Sequence, residues 1–488
     1  MKPDLRPYPD YKPSGIPWLG GVPVHWEVRR LRNASEMRVS NVDKHTKANE
    51  LPVRLCNYVD VYKHDRIRAS MPFMSATATR DEIDKFRLER DDVLITKDSE
   101  TWNDIGVPSL VEEPADDLIC GYHLALLRPI HSQAKGAFLF RALQSVAVAY
   151  QFHLEAKGVT RFGLSHGAIK SVVVPLPPLP EQTAITHFLD YTDRRIQRYI
   201  QAKQKLITLL EEQKQAIIHQ AVTGQIDVRT GQPYPAYKDS GVEWLGEVPE
   251  HWERKRVKHT SMILRGKFTH RPRNDPSLYG GPYPFIQTGD VARANKTITE
   301  YRQTLNEQGL AVSMMFPAGT LVMTIAANIG YVALLDFEAC FPDSVVGFFP
   351  RLNVNRDYLY HLFLAMNTEL QQEAPVNTQG NLNIDRIGSR PIALPPLSEQ
   401  VAIVHYLDKA TTGIGTTISR TQRQIDLLSE YRTRLISDVV TGKLDVREAA
   451  ARLPEVDPLE TEADSSGTLE PTTELTEEVE AIAEGASA

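Results

Sequence analysis

The chain has 488 residues, 42% of them hydrophobic and 24% charged, and a formal net charge of −7 at pH 7. This composition is ordinary for a globular protein, and it excludes collagen-like, wholly unfolded and membrane-embedded classes. Because a single hydrophobic core stops growing near about 250 to 300 residues, two or three domains are expected.

The charge is distributed unevenly along the chain. The last 41 residues, from Glu448 onward, contain 12 acidic residues and one basic residue, so they account for −11 and leave +4 on the rest. A weakly basic body is compatible with nucleic-acid binding but does not require it. The acidic tail is poor in aromatic residues and is predicted to stay disordered, because it cannot bury enough apolar surface to offset the entropy of ordering.

No segment predicts passage across a membrane. The N-terminal sequence MKPDLRPYPDYKPSG has charges and prolines where a signal peptide needs an apolar run, so a cytoplasmic location is expected. The uncharged residues 308–335 are interrupted by Pro317, Gly319, Asn328 and Gly330, and they are predicted to form two buried strands around a turn.

Two blocks of sequence each occur twice. Residues 11–32, YKPSGIPWLGGVPVHWEVRRLR, match residues 237–258, YKDSGVEWLGEVPEHWERKRVK, at 13 of 22 positions. Residues 176–229 match residues 394–447 without a gap at 25 of 54 positions. The segments between the paired blocks show no similarity, so the sequence predicts two duplicated domains that share a frame and carry unlike inserts.

The longer block begins with LPPL and then changes to the apolar spacing of a helix. Gly224 and Gly442 are expected to end the two helices, because glycine readily takes the left-handed conformation found there. Each helix would contain about 44 residues and measure roughly 65 Å. An apolar seam at steps of three, four and seven is predicted to pack the two helices together as an antiparallel coiled coil. The seam residues are Ile196, Ile200, Ile207, Leu210, Ile414, Ile418, Ile425 and Leu428.

The shorter block carries paired tryptophans, Trp18 with Trp244 and Trp26 with Trp252. Their large apolar rings predict core packing that fixes the N-terminal strand of each domain. Stacking on a ligand is the alternative.

Both inserts alternate apolar and polar residues as strands do, with polar turns between the strands. Ser, Thr, Asn and Lys side chains in such turns can address base edges or phosphates. Arg and Lys clusters suit phosphate contact, with a solvated surface loop as the alternative. The candidate DNA-binding residues of the first insert are Lys63, Arg66, Arg68, Lys97, Ser99, Thr101 and Arg161. Those of the second insert are Arg265, Lys267, Arg271, Arg273, Thr324, Asn328, Gln379 and Asn381.

The sequence predicts no catalytic or metal site. It has no GxxxxGK[ST] phosphate loop, no glycine-rich nucleotide loop after a strand and no [DN]PP[YF] methyltransferase motif. Cys56, Cys120 and Cys340 lie too far apart in the sequence to suggest a zinc site or a disulfide framework.

A YKxSGxxWLGxxPxHWExxR opening, a variable region, and LPPLxEQxAIxxxLD leading into a long helix are all present twice. This arrangement, which covers residues 11–447, resembles the specificity subunits of type I restriction-modification systems. The resemblance implies α/β (α+β) target-recognition domains in two copies, related by a pseudo-two-fold repeat and separated by the two long helices. The expected segments are domain 1 at 1–175, helical spacer 1 at 176–229, a linker at 230–236, domain 2 at 237–393, helical spacer 2 at 394–447 and the disordered acidic tail at 448–488.

The same resemblance implies that each target-recognition domain reads one half of a split, asymmetric site in double-stranded DNA. The helices would dock two methyltransferase subunits, which use S-adenosylmethionine to methylate adenine. Restriction and translocase subunits would use ATP and Mg²⁺ to move and cut unmodified DNA. The chain itself is expected to bind no cofactor and to catalyse no reaction.

Two other functions remain as alternatives. A dimerising coiled coil or pure scaffold explains the helices, but it gives no reason for two large, unlike inserts with polar loops. An enzyme would require one of the motifs that the sequence lacks.

Overall fold

A computed structural model describes residues 5–326, 329–372 and 382–454. They form two compact units: unit 2 is Lys205–Thr421, and unit 1 combines the residues up to Gln204 with those from Gln422 onward. Within the described ranges, no helix is both long enough and apolar enough to span a bilayer.

The first copy of the repeat contains fifteen strands and six α-helices among its described residues. The strands are β1 (Tyr11–Pro13), β2 (Gly21–Pro23), β3 (Glu27–Arg30), β4 (Ser35–Val39), β5 (Leu51–Cys56), β6 (Arg66–Arg68), β7 (Met74–Ala78), β8 (Val93–Thr96), β9 (Asp98–Ser99), β10 (Pro108–Glu113), β11 (Leu118–Cys120), β12 (Leu124–Pro129), β13 (Lys157–Gly158), β14 (Phe162–Gly163) and β15 (Val173–Leu176). The helices are α1 (Tyr58–Lys63), α2 (Arg80–Phe86), α3 (Gly136–Gln144), α4 (Val146–Glu155), α5 (His166–Ser171) and α6 (Leu179–Val222), with a 3₁₀ turn at Leu31–Asn33.

The second copy contributes thirteen strands and eight α-helices to the described part of the chain. The strands are β16 (Tyr237–Asp239), β17 (Glu247–Pro249), β18 (Glu253–Arg256), β19 (Ser261–Arg265), β20 (Tyr279–Phe285), β21 (Thr297–Ile298), β22 (Gln303–Leu305), β23 (Met315–Phe316), β24 (Leu321–Thr324), β25 (Val332–Leu335), β26 (Ala339–Cys340), β27 (Val345–Pro350) and β28 (Pro391–Leu394). The helices are α7 (Val257–Thr260), α8 (Thr288–Arg293), α9 (Glu307–Ala311), α10 (Arg356–Ala365), α11 (Asn367–Gln372), α12 (Ile384–Ser389), α13 (Leu397–Val440) and α14 (Arg447–Ala451), with a 3₁₀ turn at Pro276–Leu278.

Each unit contains a five-stranded sheet with the same topology. The strand order is β4-β12-β8-β10-β6 in unit 1 and β19-β27-β24-β25-β21 in unit 2. Every neighbouring pair is antiparallel except the last in each sheet, β10 with β6 and β25 with β21. The two inserts therefore share an architecture that their sequences do not reveal. A smaller sheet, β11-β5-β7 or β22-β20-β26-β23, accompanies the large one in each unit.

The central strand of each large sheet is buried on both faces. Successive side chains of a strand point to opposite sides, so Val93 and Ile95 of β8 join the core under α3, while Leu94 joins a second core against the smaller sheet. In β24, Met323 and Val322 are divided between two cores in the same way. This double burial explains why both strands read as continuous apolar runs. Strands β24 and β25 also confirm the two buried strands predicted within residues 308–335.

The two predicted long helices are confirmed, and α6 and α13 contain 44 residues each. In unit 1, Asp193 of α6 contacts Arg432 of α13, and Lys203 contacts Gln424, so the helices run antiparallel there. The seam residues Ile196, Ile200, Ile425 and Leu428 are buried, and Ile207, Leu210, Ile414 and Ile418 are half-buried.

Each domain core is completed by the end of the helix that follows the other domain. The unit 1 core includes Leu435, Val439 and Val440 from the end of α13, and the unit 2 core includes Ile218 and Val222 from the end of α6. The predicted glycines then turn the chain away in the left-handed conformation, with φ of 76° at Gly224 and 78° at Gly442. A Cβ at either glycine would lie within 2.4 Å of a proline ring, Pro249 or Pro23, so neither site has room for a side chain.

A buried glutamate connects the N-terminal segment of unit 1, the start of α6 and the residues that follow α13. We call Glu181 and its partners Tyr8, His25, Trp26 and Arg447 the Glu181 cluster. Glu181 lies in the first turn of α6 and accepts hydrogen bonds from the Tyr8 hydroxyl at 2.6 Å and from the Trp26 indole at 3.0 Å. His25 Nε2 lies 2.7 Å from the same carboxylate, and Arg447, beyond the end of α13, lies 4.0 Å away. Burial and the hydrogen bond to Glu181 raise the pKa of Tyr8, so its hydroxyl remains a donor.

Unit 2 contains the same arrangement, the Glu399 cluster. Glu399 accepts from Trp252 at 3.0 Å and from Tyr234 at 3.3 Å, with His251 at 2.8 Å and Arg229 at 3.3 Å. Tyr234 is buried, so the segment 230–236, predicted as a linker, packs against the fold of this unit.

Two expectations about exposure are wrong. Trp26 and Trp252 are fully buried, as predicted, but Trp18 is 38% exposed and does not belong to the core. The predicted start of the disordered tail, residue 448, lies too early in the sequence, because residues 447–451 form α14 and Ala450 packs in the unit 1 core. Residues 455–488 lie outside the described residues.

Replacing Glu181 with alanine is expected to destabilise unit 1 by about 3 kcal/mol, because buried donors lose a charged acceptor. Urea denaturation followed by tryptophan fluorescence measures the loss. Glu212→Ala, at an exposed position of the same helix, is the matched control and should change stability by less than about 0.5 kcal/mol. Equal stabilities of the two variants would contradict a structural role for the cluster.

Candidate nucleic-acid interface

A polar network lies at the end of β8 in unit 1. Asp98 accepts hydrogen bonds from Lys97 Nζ at 2.8 Å and from His123 Nδ1 at 2.5 Å. The other ring nitrogen of His123 accepts from Arg161 Nη2 at 3.2 Å, because a guanidinium can only donate. Three separate loops thus hold one exposed guanidinium in place.

Short strands position the network. In a three-stranded sheet, β14 pairs with β13 on one side and with β9 on the other. Gly163 lies opposite Asp98, and Phe162 lies opposite Ser99. Arg161 occupies the exposed turn of the β13–β14 hairpin, next to Val159, which is 92% exposed. The hairpin therefore presents Arg161 at the surface of the domain.

The hydrogen bonds of this network keep the Asp98 carboxylate ionised. Burial of the Asp98 carboxylate alone would raise its pKa, but the hydrogen bonds from Lys97 and His123 outweigh burial and hold the pKa below its ordinary value. Asp98 is therefore ionised at neutral pH and neutralises Lys97 locally. Among the described residues the Arg161 guanidinium bonds to the His123 ring and to no carboxylate, so its positive charge remains available to a ligand.

Exposed aromatic rings lie in the same domain. Tyr122 is 48% exposed, and its ring centroid is 3.7 Å from that of His123. Trp102 is equally exposed and packs edge-on against His153. Exposed aromatic rings beside cations suit a nucleic-acid surface, since bases and sugars pack on such rings.

The candidates of the first insert fall into two groups. Lys63, Arg68, Thr101 and Arg161 are exposed, although Arg68 forms an ion pair with Glu112 at 2.6 Å. Lys97 is largely enclosed by its bond to Asp98.

Two predictions in the first insert are wrong. Ser99 is buried, and its hydroxyl accepts from the Thr101 backbone N–H. Arg66 donates to Asp190 of α6 at 2.8 Å and lies over the Phe140 ring, so it anchors the domain to the helix instead of facing DNA.

The basic residues of the second insert gather around Asp343. Arg273 forms an ion pair with its carboxylate, Arg271 lies 3.9 Å away, and Arg265 donates to its backbone carbonyl at 2.7 Å. Lys267 is exposed on the same loop. The Asp343 carboxylate thus contacts two arginines, its backbone carbonyl holds a third, and Lys267 adds a further exposed charge nearby in the sequence.

Thr324 is also wrong as a DNA contact. It is fully buried, and its hydroxyl accepts from the Tyr331 backbone N–H at 3.1 Å. Thr96, at the same end of β8, accepts from Val107 in the same way at 3.0 Å, so both threonines close the turn that follows a central strand. Asn328, Gln379 and Asn381 lie outside the described residues, and their contact with DNA stays a prediction.

Sequence reasoning missed His123 and Tyr122. His123 has a positive φ of 72°, and its partners Asp98 and Arg161 are 25 and 38 residues away in the chain. No local pattern reports such distant pairing. Across the described residues, no group of three or more His, Cys, Asp or Glu side chains is arranged to hold a metal ion.

Residues 23–209 and 249–426 match the family model described as type I restriction modification DNA specificity domain. The putative type I restriction enzyme MjaX specificity subunit of Methanocaldococcus jannaschii is 21% identical over 442 residues, which cover 88% of this chain and 96% of that protein. The putative type I restriction enzyme specificity subunit S.HindORF215P of Haemophilus influenzae is 21% identical over 389 residues, covering 75% and 88%.

A chain from a solved structure on complex assembly and conformational transition of the type I R-M system has a similar fold. The TM-score is 0.61 at 18% sequence identity, over 87% of this chain and 99% of that one. The family match covers both copies of the repeat and well over half of the residues. The chain therefore belongs to the type I restriction-modification DNA specificity family, and it is a DNA specificity subunit.

Proposed function

We propose that this specificity subunit reads a split, asymmetric site in double-stranded DNA, one half with each insert domain, and holds two methyltransferase subunits at that site. The observation that carries the proposal is the combination of identical sheet topologies with unlike exposed polar groups. Because both domains have the same sheet topology, the end of a long helix can complete the core of each in the same way. Their different exposed side chains give each domain its own sequence preference. Two related domains on one chain correspond to a dimeric reader on two half-sites.

In the first domain, Arg161 is the group proposed to read a base. A guanidinium can donate two parallel hydrogen bonds to N7 and O6 of guanine in the major groove. The Asp98–His123 pair limits the rotamers of Arg161, so less side-chain entropy is lost on binding. In the second domain, the cations around Asp343 suit the phosphate backbone, which sets register and affinity.

The outer faces of the long helices are proposed to dock the methyltransferase subunits. On α6, Leu206 and Leu209 are 43% and 52% exposed, and on α13, Leu397 and Val401 are 44% and 51% exposed. Residues three or four apart lie on one side of a helix, so each pair forms a short apolar stripe. Exposed apolar stripes favour contact with another protein.

In this proposal the subunit is the non-catalytic component of the complex. The methyltransferase subunits use S-adenosylmethionine to methylate adenine, and restriction and translocase subunits use ATP and Mg²⁺. This chain binds none of these cofactors itself. The cytoplasmic location expected from the sequence stays a prediction.

Exchanging residues 35–172 for the corresponding insert of another family member is expected to change one half of the recognised motif and leave the other half intact. Long-read methylation mapping of DNA from cells that express the methyltransferase subunit, with and without this chain, measures the motif. The reciprocal exchange of residues 261–390 is the control and should change the opposite half. A change in both halves from either exchange would contradict independent reading, and unchanged methylation on adding the chain, with the complex formed, would favour a scaffold.

Arg161→Ala is expected to weaken binding of the assembled complex to a duplex carrying the mapped motif by about tenfold to a hundredfold, as expected for a bidentate base contact. Arg90→Ala removes another exposed arginine of unit 1 and should change affinity by less than about twofold. Fluorescence anisotropy at fixed salt measures both. Equal losses for the two variants would assign Arg161 to general charge attraction instead of base reading.

A further inference from the structure

The junction between domain and helices in unit 1 is a closed set of ion pairs. Arg141, only 3% exposed, contacts Asp190 at 2.7 Å and Asp193 at 2.9 Å. Arg432 of α13 contacts Asp193 and also Asp65, the latter at 2.8 Å. Every charge in this junction faces an opposite charge.

The equivalent junction in unit 2 lacks several of these charges. The 218-residue helix repeat places Lys214 where unit 1 has Arg432, and it places Thr411 where unit 1 has Asp193. Lys296 bonds to Asp408 and lies over Tyr360, as Arg66 bonds to Asp190 and lies over Phe140, and the residues that precede these two cations are Asn295 and Asp65. His361 replaces Arg141, and each follows an aromatic residue, Tyr360 or Phe140, whose ring lies under a cation. The carboxylates of Asp193 and Asp65 therefore have uncharged counterparts of similar size, and the guanidinium of Arg141 has a smaller counterpart in the imidazole of His361.

A cavity of about 360 Å³ lies at this junction in unit 2. Lys214, Asn295, His361, Asp408 and Thr411 all contribute to its wall. Thr411 donates its hydroxyl hydrogen to a backbone carbonyl of its own helix, Leu407 O, so it brings no charge to the wall.

Lys214 has lost the partners that its counterpart has. Arg432 faces two carboxylates, whereas the corresponding positions around Lys214 carry a threonine and an asparagine. Within the described residues Lys214 forms no ion pair. The other lysine of the cavity, Lys296, is already neutralised by Asp408 at 2.8 Å and Asp357 at 3.2 Å.

The His361 ring gives independent evidence, because it is a polar group of the cavity wall that has no hydrogen-bond partner in the part of the chain that the structure describes. Its side chain is 4% exposed, and neither ring nitrogen has a hydrogen-bond partner among the described residues. Nε2 lies 3.5 Å from Asp408, which is beyond a normal hydrogen bond. Burial lowers the pKa of this ring to about 4, so it is neutral at physiological pH. A buried polar ring without a partner is unusual in a native fold.

We propose that this cavity binds a small oxyanion of the phosphate class, with Lys214 as its principal cation, where unit 1 has the carboxylates of Asp193 and Asp65. A divalent cation does not fit, because the Lys214 ammonium would repel it. The size of the cavity, the Lys214 ammonium and the unpartnered ring of His361 suit a compact anion that can accept several hydrogen bonds. The site does not depend on how the chain reads DNA, and in unit 1 the position of Lys214 is occupied by Arg432, which Asp193 neutralises.

The test uses the full-length chain and inorganic phosphate, compared with chloride at equal ionic strength. Phosphate at about 20 mM is expected to raise the melting temperature by about 2–3 °C through binding to the folded state. Lys214→Gln should remove this increment, and Lys205→Gln, at an exposed position of the same helix, should retain it. Calorimetric titration with phosphate measures binding directly in the same proteins.

A second variant supplies the carboxylate from within the chain. Thr411→Asp copies the residue of unit 1 and should abolish phosphate binding, while Thr417→Asp makes the same charge change at an exposed position that does not line the cavity and should preserve binding. A phosphate increment that survives in both Lys214→Gln and Thr411→Asp, or that is absent from the wild-type chain, overturns the proposal.

The source of the oxyanion is distinguished with non-specific duplex DNA. If Lys214→Gln weakens duplex binding more than Lys205→Gln does, and phosphate competes with the duplex, the site holds a phosphate of the DNA backbone. If duplex binding is equal in the two variants while phosphate binding is lost, the site holds a free anion.

Discussion

The buried glutamate at the start of each long helix is the interaction on which the rest of the structure depends. Glu181 and Glu399 each collect donors from a histidine and a tryptophan of the shorter shared block, from a tyrosine just before that block, and from an arginine that follows the opposite helix. A carboxylate is stable inside a protein only when donors surround it. The cluster therefore forms only when three distant parts of the chain meet, and the identical residues of the two repeats are largely those that make this meeting possible.

The same constraint separates what is shared from what varies. The shared blocks supply the glutamate, its donors, the seam and the terminal glycines, so they fix where each insert begins and ends. Inside that frame, the five-stranded sheet needs only apolar residues in alternation, which many sequences satisfy. The exposed turns are then under no structural demand, and one domain carries the Asp98–His123–Arg161 network while the other carries cations around Asp343. Different surfaces on one scaffold are what a reader of two unlike half-sites requires.

Sequence reasoning succeeded where the signal is local or repeated, and it failed where function depends on distant contacts. The 44-residue helices, the seam and the closing glycines follow from spacing within one segment. Thr324 and Ser99 have side chains of a type that contacts DNA, but they are buried because their hydroxyl oxygens accept hydrogen bonds from backbone N–H groups of the turn. The prediction that Arg66 is a surface cation fails because its partner, Asp190, lies 124 residues away in the sequence and no local pattern indicates the pairing. His123 was not predicted for the same reason, since its partners Asp98 and Arg161 are also distant in the sequence. Ala450 shows that a short apolar face can order the start of an acidic segment when a core is available to receive it.

The exchange of helix ends also determines when each core can close during synthesis. Unit 2 is continuous in the chain, so all its residues have left the ribosome once Thr421 and a short stretch beyond it have been made. Unit 1 is discontinuous, and its core remains open until Leu435, Val440 and Ala450 have been added. The domain translated first is thus the one completed last, and its apolar surface stays exposed while the second domain is built. The longer exposure of its apolar surface makes the first domain the more vulnerable of the two to misfolding.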